Sequence, residues 1–110
     1  MSFEITLTKS FRRNLKPLLK RFASIVNDLE TLEEDLLSNP QAGEPLGRDC
    51  YKVRMAIAAK NKGKSGGARV ITCVKVVGET VFLLTIYDKS EQDSISDTER
   101  DALLRENGLL

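Results

Sequence analysis

The sequence predicts a small α+β domain with a helical hairpin packed on one face of a mainly antiparallel sheet. Two observations support this prediction. Apolar residues recur at helical spacing through the first third of the chain, and three strand-like segments follow without a helix between them. The predicted element order is β-α-α-β-β-β-α. With 110 residues the chain is long enough for one core, and we expect one domain over 1–110.

The first half of the chain is predicted to form a strand followed by the helical hairpin. Apolar and polar side chains alternate over residues 3–7, as in a half-buried strand. A helical apolar stripe follows, but Pro17 lacks the N–H that the interior of a helix requires. We therefore expect either two helices, over about 9–16 and 18–38, or one helix kinked at Pro17.

The second half is predicted to supply most of the sheet. Residues 39–48 contain two prolines and two glycines, which is typical of a loop. Three strand-like segments follow at 50–57, 68–76 and 80–87. The first alternates apolar with polar residues, and the other two are apolar on both faces, as central strands are. Residues 77–79 join the last two strands as a tight hairpin.

A short helix over 98–104 is predicted to end the fold. Ser96 precedes it at the N-cap position, and Glu99 follows three residues later. At this spacing the Ser96 hydroxyl accepts from the Glu99 backbone N–H, while the Glu99 carboxylate accepts from the Ser96 backbone N–H. The pattern therefore predicts a capping box at the start of the helix.

The composition excludes several classes of protein. The chain contains no histidine, which rules out serine–histidine and cysteine–histidine nucleophiles and any histidine-ligated metal site. Cys50 and Cys73 are too few for a disulfide scaffold or an all-cysteine zinc site, and we expect them to be small buried residues. No apolar segment approaches the ~18 residues of a membrane span, and no signal peptide is recognisable. We therefore expect a cytoplasmic protein without metal, cofactor or membrane contact.

The net charge of +1 conceals a strong separation of charge along the chain. Residues 1–26 carry six bases and one acid, and residues 27–47 carry six acids and no base. Residues 48–75 then carry eight bases and one acid, whereas residues 76–110 carry three bases and eight acids. Such asymmetry often marks a surface that binds a polyanion.

The basic residues are densest in a glycine-rich segment between two predicted strands, residues 59–69. Its four bases are Lys60, Lys62, Lys64 and Arg69, and it also holds three glycines. A loop of this composition can bring backbone N–H groups and ammonium charges to a phosphate. A solvated hairpin loop with scattered charge is the alternative. A nucleotide-triphosphate loop is excluded, because the Gly-x-x-x-x-Gly-Lys-Ser/Thr spacing is absent.

Strand periodicity extends the basic set onto the sheet. Alternation places Lys52 and Arg54 on the same face of their strand. Arg69 opens the next strand, and Lys89 follows the last one. An antiparallel register would bring Arg54, Arg69 and Lys89 together across one sheet face. Cations on such a face favour an anionic ligand.

Together these segments resemble the RelE/ParE superfamily of type II toxins, and most closely its HigB/RelE-like branch. The resemblance covers about residues 3–104, nearly the whole chain. The residues that carry it are Phe11, Lys16-Pro17, Pro40-x-x-Gly43, Tyr51-Lys52-Val53-Arg54, Gly63-Lys-Ser-Gly-Gly-Ala-Arg69-Val-Ile-Thr72 and Ile86-Tyr-Asp-Lys-Ser90. The family fold, two helices against a small twisted antiparallel sheet, agrees with the element order predicted from the residues.

The resemblance implies a toxin that cleaves mRNA in the ribosomal A site and is neutralised by a cognate antitoxin. Its implied partners are therefore the antitoxin, the ribosome and mRNA. This chemistry suits a chain without histidine, because the RNA supplies its own nucleophile: a 2′-OH attacks the adjacent phosphate and leaves a 2′,3′-cyclic phosphate and a 5′-OH. A lysine among other cations can serve as the base, since like charges disfavour its protonated form.

The resemblance also implies roles for individual residues. Lys52 and Arg54 match the basic pair on the first strand of the catalytic face, and Arg69 matches the arginine that grips the scissile phosphate. Lys89 matches the basic position after the last strand. We add Lys64 from the basic loop, and our hypothesis is that Arg54 and Arg69 bind the phosphate while Lys64 or Lys89 transfers protons. The predicted catalytic residues are Arg54, Lys64, Arg69 and Lys89, and the predicted RNA-binding residues are Lys52, Lys60 and Lys62.

Two other functions stay open on the sequence alone. A ParE-like toxin of the same fold would inhibit DNA gyrase by binding it, without cleaving RNA. A non-catalytic RNA-binding module would use the same cations, and alanine substitutions would weaken its binding uniformly. The acidic residues from Asp28 to Asp35 are expected to form only a solvated helix face. The alternatives are that they repel RNA, orient the toxin in a ribosomal site or dock a basic segment of the antitoxin.

Overall fold

The computed structural model describes residues 2–110 and consists of one five-stranded sheet with helices on both faces. The bounds of its elements are β1 Glu4–Leu7, α1 Lys9–Arg21, α2 Ile25–Ser38, β2 Glu44–Gly47, β3 Cys50–Met55, β4 Ala68–Lys75, β5 Thr80–Asp88 and α3 Asp97–Glu106. Two single turns of 3₁₀-helix, Ala58–Lys60 and Lys64–Gly66, lie between β3 and β4. The predicted α+β class is confirmed.

The strands lie in the order β1-β5-β4-β3-β2. All neighbours are antiparallel except β1 and β5, which pair in parallel from Glu4 opposite Thr80 to Leu7 opposite Leu83. β4 lies at the centre and is buried along its whole length except at Lys75. Both of its faces are covered, which explains why apolar residues occur on both faces of this strand rather than alternating with polar ones.

The two faces of the sheet bury separate apolar clusters. The larger one joins the sheet to α1 and α2 and includes Phe11, Leu36 and Val70. The smaller one joins the opposite face to α3 and includes Ile71 and Leu104. The helical hairpin therefore packs on one face, as predicted, and the last helix covers part of the other. This second cluster adjoins the cations of β3 and β4, which share its face.

The helical hairpin breaks at residues 22–24 and not at Pro17. α1 continues through Pro17 to Arg21, and the exposed proline ring costs it only one internal hydrogen bond. The chain leaves the helix at Phe22, whose backbone is extended and whose ring packs against the larger cluster. The predicted division at Pro17 was wrong, because packing of Phe22 decides where the helix ends.

The segment predicted as a loop, residues 39–48, contains the edge strand β2. Glu44 lies opposite Lys52 of β3, and a bulge falls between Pro45 and Gly47. Proline cannot donate to a neighbouring strand, but an edge strand tolerates it because one of its sides has no partner. The prediction of an irregular segment was therefore incomplete, and the sheet has one strand more than expected.

α3 begins with the predicted capping box. The Ser96 Oγ accepts from the Glu99 backbone N–H at 3.1 Å, and the Glu99 carboxylate accepts from the Ser96 backbone N–H at 3.3 Å. The buried Arg100 side chain fastens the helix to β2 by donating from Nη1 to the Leu46 carbonyl. Neither α3 nor any other helix within residues 2–110 is long and apolar enough to cross a membrane.

Candidate functional site

Two of the predicted cations lie directly opposite each other in the sheet. Arg54 of β3 pairs with Arg69 of β4, and Tyr87 of β5 lies opposite Arg69 on the other side. Lys52 precedes Arg54 by two residues and therefore shares its sheet face. Arg54 is exposed, whereas Arg69 is only 5% exposed. The fold thus contains the expected juxtaposition of Arg54 and Arg69.

These cations line an open cavity of about 470 Å³, which we call the cation pocket. The residues that line it are Gly43, Glu44, Lys52, Arg54, Arg69 and Asp93. The three bases outnumber the two acids, and the side chains of these bases supply hydrogen-bond donors to the cavity. A cavity of this kind suits a phosphate group and its neighbouring sugars better than an apolar ligand.

The Arg69 guanidinium is held by three carbonyl groups. Nη1 donates to the carbonyl oxygens of Lys64 and Ala68, at 3.0 Å each, and Nη2 donates to that of Ser65 at 3.2 Å. No carboxylate within residues 2–110 lies within ion-pairing distance of this side chain. Arg69 therefore presents a positive charge that is fixed in place and not neutralised.

The other two bases of the cation pocket are held more loosely. Lys52 Nζ lies 3.9 Å from Glu44 Oε1, at the long end of ion pairing, and Glu44 is 65% exposed. Arg54 makes no side-chain hydrogen bond or ion pair within the described part of the chain. A ligand can therefore recruit both side chains without breaking a buried interaction.

The loop between β3 and β4 is tied to the start of α2. The Ala58 backbone N–H donates to Asp28 Oδ2 at 3.2 Å, and the Ala59 backbone N–H donates to Ser24 Oγ at 2.9 Å. Asp28 therefore has a structural role, and the prediction that it belongs only to a solvated helix face was wrong. These bonds hold the beginning of the basic segment against the helical hairpin.

Lys60, a predicted RNA contact, forms a buried ion pair with Asp88. Its Nζ lies 2.7 Å from Asp88 Oδ1 and 5.8 Å from the centroid of the Phe22 ring. Asp88 is also within 3.2 Å of Arg21 Nη2 and accepts from the Ser90 backbone N–H at 2.9 Å. Burial alone raises the pKa of Asp88, but the hydrogen bonds from Lys60 and Ser90 lower it to about 2. Lys60 therefore neutralises a buried carboxylate and is not a free charge for RNA.

The remaining predicted bases do not line the cation pocket. Lys64 and Arg54 together line a narrow cavity of about 80 Å³ against α2, and Lys62 is exposed on the loop. Lys89 is half-buried, and its backbone N–H donates to the Gly67 carbonyl at 3.1 Å. Arg54 is thus shared by the two cavities, whereas Lys89 lines neither.

Tyr87 of β5 lies next to Arg69, on the side of Arg69 away from Arg54. Burial raises the pKa of the Tyr87 phenol to about 12, although the nearby Arg69 charge acts in the opposite direction. Its hydroxyl donates to the Asp93 carbonyl at 3.4 Å. The phenol therefore stays protonated at neutral pH, and it can donate a hydrogen bond but cannot act as a base.

Gly67 permits the close approach of the loop to β3. A Cβ at this position would lie 2.0 Å from the Met55 carbonyl oxygen and 2.9 Å from the Ile57 nitrogen, and these backbone atoms cannot rotate away. Gly67→Ala is therefore expected to lower the free energy of unfolding by about 2–3 kcal/mol, measured by urea denaturation. Gly78→Ala is the control, because the nearest atom to its Cβ is 3.8 Å away. Equal losses in both variants would contradict the steric account.

Sequence reasoning missed the cluster around Asp88. An acid followed two residues later by serine is typical of an Asx turn, and Asp88 and Ser90 have this spacing. The Asp88 carboxylate accepts from both the backbone N–H and the hydroxyl of Ser90, each at 2.9 Å. This signal locates a local turn, but it does not reveal that Lys60 and Arg21 converge on the same carboxylate from distant segments.

Comparison with known proteins identifies the family. The family model for the RelE toxin of the RelE/RelB toxin–antitoxin system matches residues 5–108. A solved structure of a doubly substituted E. coli RelE toxin in the free state is similar, with a TM-score of 0.59 and 19% identity over 84% of this chain and 90% of that one. The isolated E. coli RelE toxin is similar as well, with a TM-score of 0.56 and 20% identity over 96% and 98% of the two chains.

The two kinds of similarity agree with the architecture. The solved structures share the fold, and the family model spans the basic loop and every residue of the cation pocket. Because that model covers nearly the whole sequence, the chain belongs to the RelE family of toxins from toxin–antitoxin systems.

Proposed function

We propose that this toxin is an endoribonuclease that cleaves mRNA presented in the ribosomal A site, and that a cognate antitoxin neutralises it. The observation that supports the proposal is the cross-strand pair of Arg54 and Arg69, with Lys52 beside it, in one open cavity. Like charges directly opposite each other on a sheet are destabilising. A phosphodiester bound between the two arginines would remove that repulsion.

In the proposed reaction the 2′-OH attacks the adjacent phosphorus, and the bond from phosphorus to the 5′-oxygen breaks. Arg69 is already oriented by three carbonyl groups and binds one non-bridging oxygen. Arg54 has no internal partner and binds the other oxygen as the phosphorus becomes pentacoordinate. Donors arranged before the reaction begins usually supply the largest part of catalysis, and these arginines act in that way.

Proton transfer falls to lysine in this mechanism. Arginine remains protonated in proteins, and the pKa of Tyr87 of about 12 keeps its phenol neutral. Lys52 shares the cation pocket with both arginines, and Lys64 approaches Arg54 from the side of α2. We therefore assign the proton transfers to Lys52 and Lys64, in preference to Lys89.

Two acids of the cation pocket give a reason for dependence on the ribosome. Glu44 and Asp93 line the same cavity as the three bases and repel the phosphates of free RNA. This repulsion weakens the affinity of the toxin for RNA. A ribosome that holds the codon in place compensates for the weak affinity, because the ribosome then positions the scissile phosphate. Free RNA is then a poor substrate.

The proposal is tested by expressing Arg54→Ala beside the wild type from an inducible promoter and mapping mRNA 5′ ends. We expect the variant to cleave about 10²-fold more slowly, because one donor to the pentacoordinate phosphate is lost. Arg54 is exposed and unpaired in the described structure, so the stability of the variant should stay within about 0.5 kcal/mol of wild type.

Lys75→Ala is the matched control for this test. Lys75 is also a base on the sheet, but it lies at the far end of β4, where its Nζ is 3.6 Å from Asp49 Oδ2. It should cleave mRNA at the wild-type rate. Growth arrest with intact mRNA and an induced DNA-damage response would instead indicate a gyrase inhibitor, and the proposal would then be abandoned.

A further inference from the structure

Two cysteines that the proposed reaction does not use lie opposite each other in the sheet. Cys50 begins β3, and its register partner is Cys73 of β4. Both are reduced, and they are 1% and 0% exposed. They belong to the same ladder as the site: the cysteine pair lies four residue pairs along from the pair of Arg54 and Arg69, and on the same sheet face.

The hydrogen-bond pattern of the ladder brings the two cysteines close together. The Val74 backbone N–H donates to the Asp49 carbonyl at 2.9 Å, so the residues just outside the cysteines form a hydrogen-bonded pair. The two types of pair alternate along antiparallel strands, which makes Cys50 and Cys73 a non-hydrogen-bonded pair with Cα atoms about 4.5 Å apart. That separation falls within the range in which disulfides form.

The thiols are inaccessible to an oxidant while they stay covered. The contact between them raises the pKa of the Cys50 thiol and lowers that of Cys73, so burial rather than protonation protects the pair. α3 forms part of their cover, because its Leu104 lies in one buried cluster with the two cysteines. Oxidation therefore requires α3 to move away from the sheet.

The buried Arg100 side chain holds α3 to β2, and further polar contacts lie at the ends of the helix. The capping box fixes its start, and at its other end the Asn107 side chain donates to Ser10 Oγ at 2.9 Å while Glu106 pairs with the 55% exposed Arg13. Elements held by few buried contacts open locally before the whole domain unfolds. Opening of α3 would expose both thiols together and leave β3 paired with β4.

We propose that Cys50 and Cys73 form a reversible disulfide that α3 gates, with a small-molecule disulfide as the oxidant. One thiolate attacks a sulfur of the oxidant, forming a mixed disulfide and releasing one thiol. The other cysteine thiolate then attacks the protein sulfur of the mixed disulfide and releases the second thiol. The protein loses two electrons and two protons, and the oxidant is reduced to two thiols. The bond would fasten the two strands that carry Arg54 and Arg69, and the inference is independent of the nuclease proposal.

The test incubates the purified full-length protein with oxidised glutathione and follows its intact mass. We expect a product lighter by two hydrogen atoms, in which peptide mapping links the segment containing Cys50 to the segment containing Cys73. A reducing thiol should restore the starting mass. Because a crosslink limits the unfolded chain, the oxidised form should melt roughly 10 °C higher than the reduced form.

Variants of α3 and of the cysteines test the gate and the pairing. Ser96→Ala removes the N-cap of α3 at a site remote from the sulfurs. Loss of the cap favours local opening of the helix, so oxidation should become about fivefold faster. Thr98→Ala, on the exposed surface of the same helix, should leave the rate unchanged. Cys50→Ser should stop at a glutathione adduct on Cys73. Stable adducts or crosslinked dimers in the wild type, or equal rates for Ser96→Ala and Thr98→Ala, would overturn the proposal.

Discussion

Asp88→Asn is expected to lower the free energy of unfolding by about 3–5 kcal/mol, although it preserves the shape of the side chain. The Asp88 carboxylate is 1% exposed and lies 2.7 Å from Lys60 Nζ and 3.2 Å from Arg21 Nη2. A neutral amide cannot compensate these two charges. The Lys60 side chain, only 14% exposed, would then be left without a counter-charge.

Urea denaturation of the variant beside Glu91→Gln measures this effect. Glu91 pairs with the same arginine, Arg21, but Glu91 is 62% exposed. Removing a surface ion pair should change stability by no more than about 0.5 kcal/mol. Comparable losses in the two variants would show that burial of Asp88 does not strengthen its ion pairs, and this account of the cluster would fail.

The same carboxylate makes stability depend on pH in a defined window. Its pKa falls from 3.8 in the unfolded chain to about 2 in the folded protein, so the folded state favours the charged form. The stabilisation is complete above the unfolded value and is lost as pH falls from about 4 toward 2, by about 2 kcal/mol in total. The difference in unfolding free energy between wild type and Asp88→Asn should therefore shrink over that interval.

Sequence patterns predicted the ends of those elements that depend on contacts between residues close in sequence. The capping box of α3 depends on Ser96 and Glu99 alone, and the predicted start of the helix is confirmed. The end of α1 depends instead on packing of Phe22 against residues distant in sequence, so periodicity placed the break wrongly at Pro17. β2 was missed because its Pro45 and Gly47 are typical of a loop, and only pairing with β3 makes the segment a strand.

The same distinction applies to the candidate site. Arg54 and Arg69 lie on adjacent strands, so alternation and an antiparallel register were sufficient to predict that they meet. Lys60 lies in a loop, where the direction of a side chain depends on its partner. That partner, Asp88, comes from the end of β5, and nothing in the composition of residues 59–69 indicates it. The function of the basic loop therefore stays a prediction, and the sequence did not indicate that Lys60 pairs with a buried carboxylate.

Arg69→Ala is expected to slow mRNA cleavage by about 10³-fold, the largest effect among the cations of the site. The substitution removes the fixed positive charge from the cation pocket. It also removes the donor that joins the carbonyl groups of Lys64 and Ser65 to β4, so we expect the free energy of unfolding to fall by about 2 kcal/mol. Single-round cleavage on programmed ribosomes, with urea denaturation of the same samples, measures both effects.

Arg69→Lys and Arg54→Lys test whether cleavage needs only a positive charge or also a guanidinium that is held in a fixed orientation. Lysine keeps the charge but cannot donate to three carbonyl groups in the planar arrangement that the Arg69 guanidinium adopts. Arg69→Lys should therefore lose about 10²-fold in cleavage, whereas Arg54→Lys, which breaks no internal contact, should stay within about tenfold of wild type. If both variants instead cleave mRNA within about tenfold of wild type, charge alone binds the phosphate, and the three carbonyl bonds of Arg69 serve only the fold of the loop.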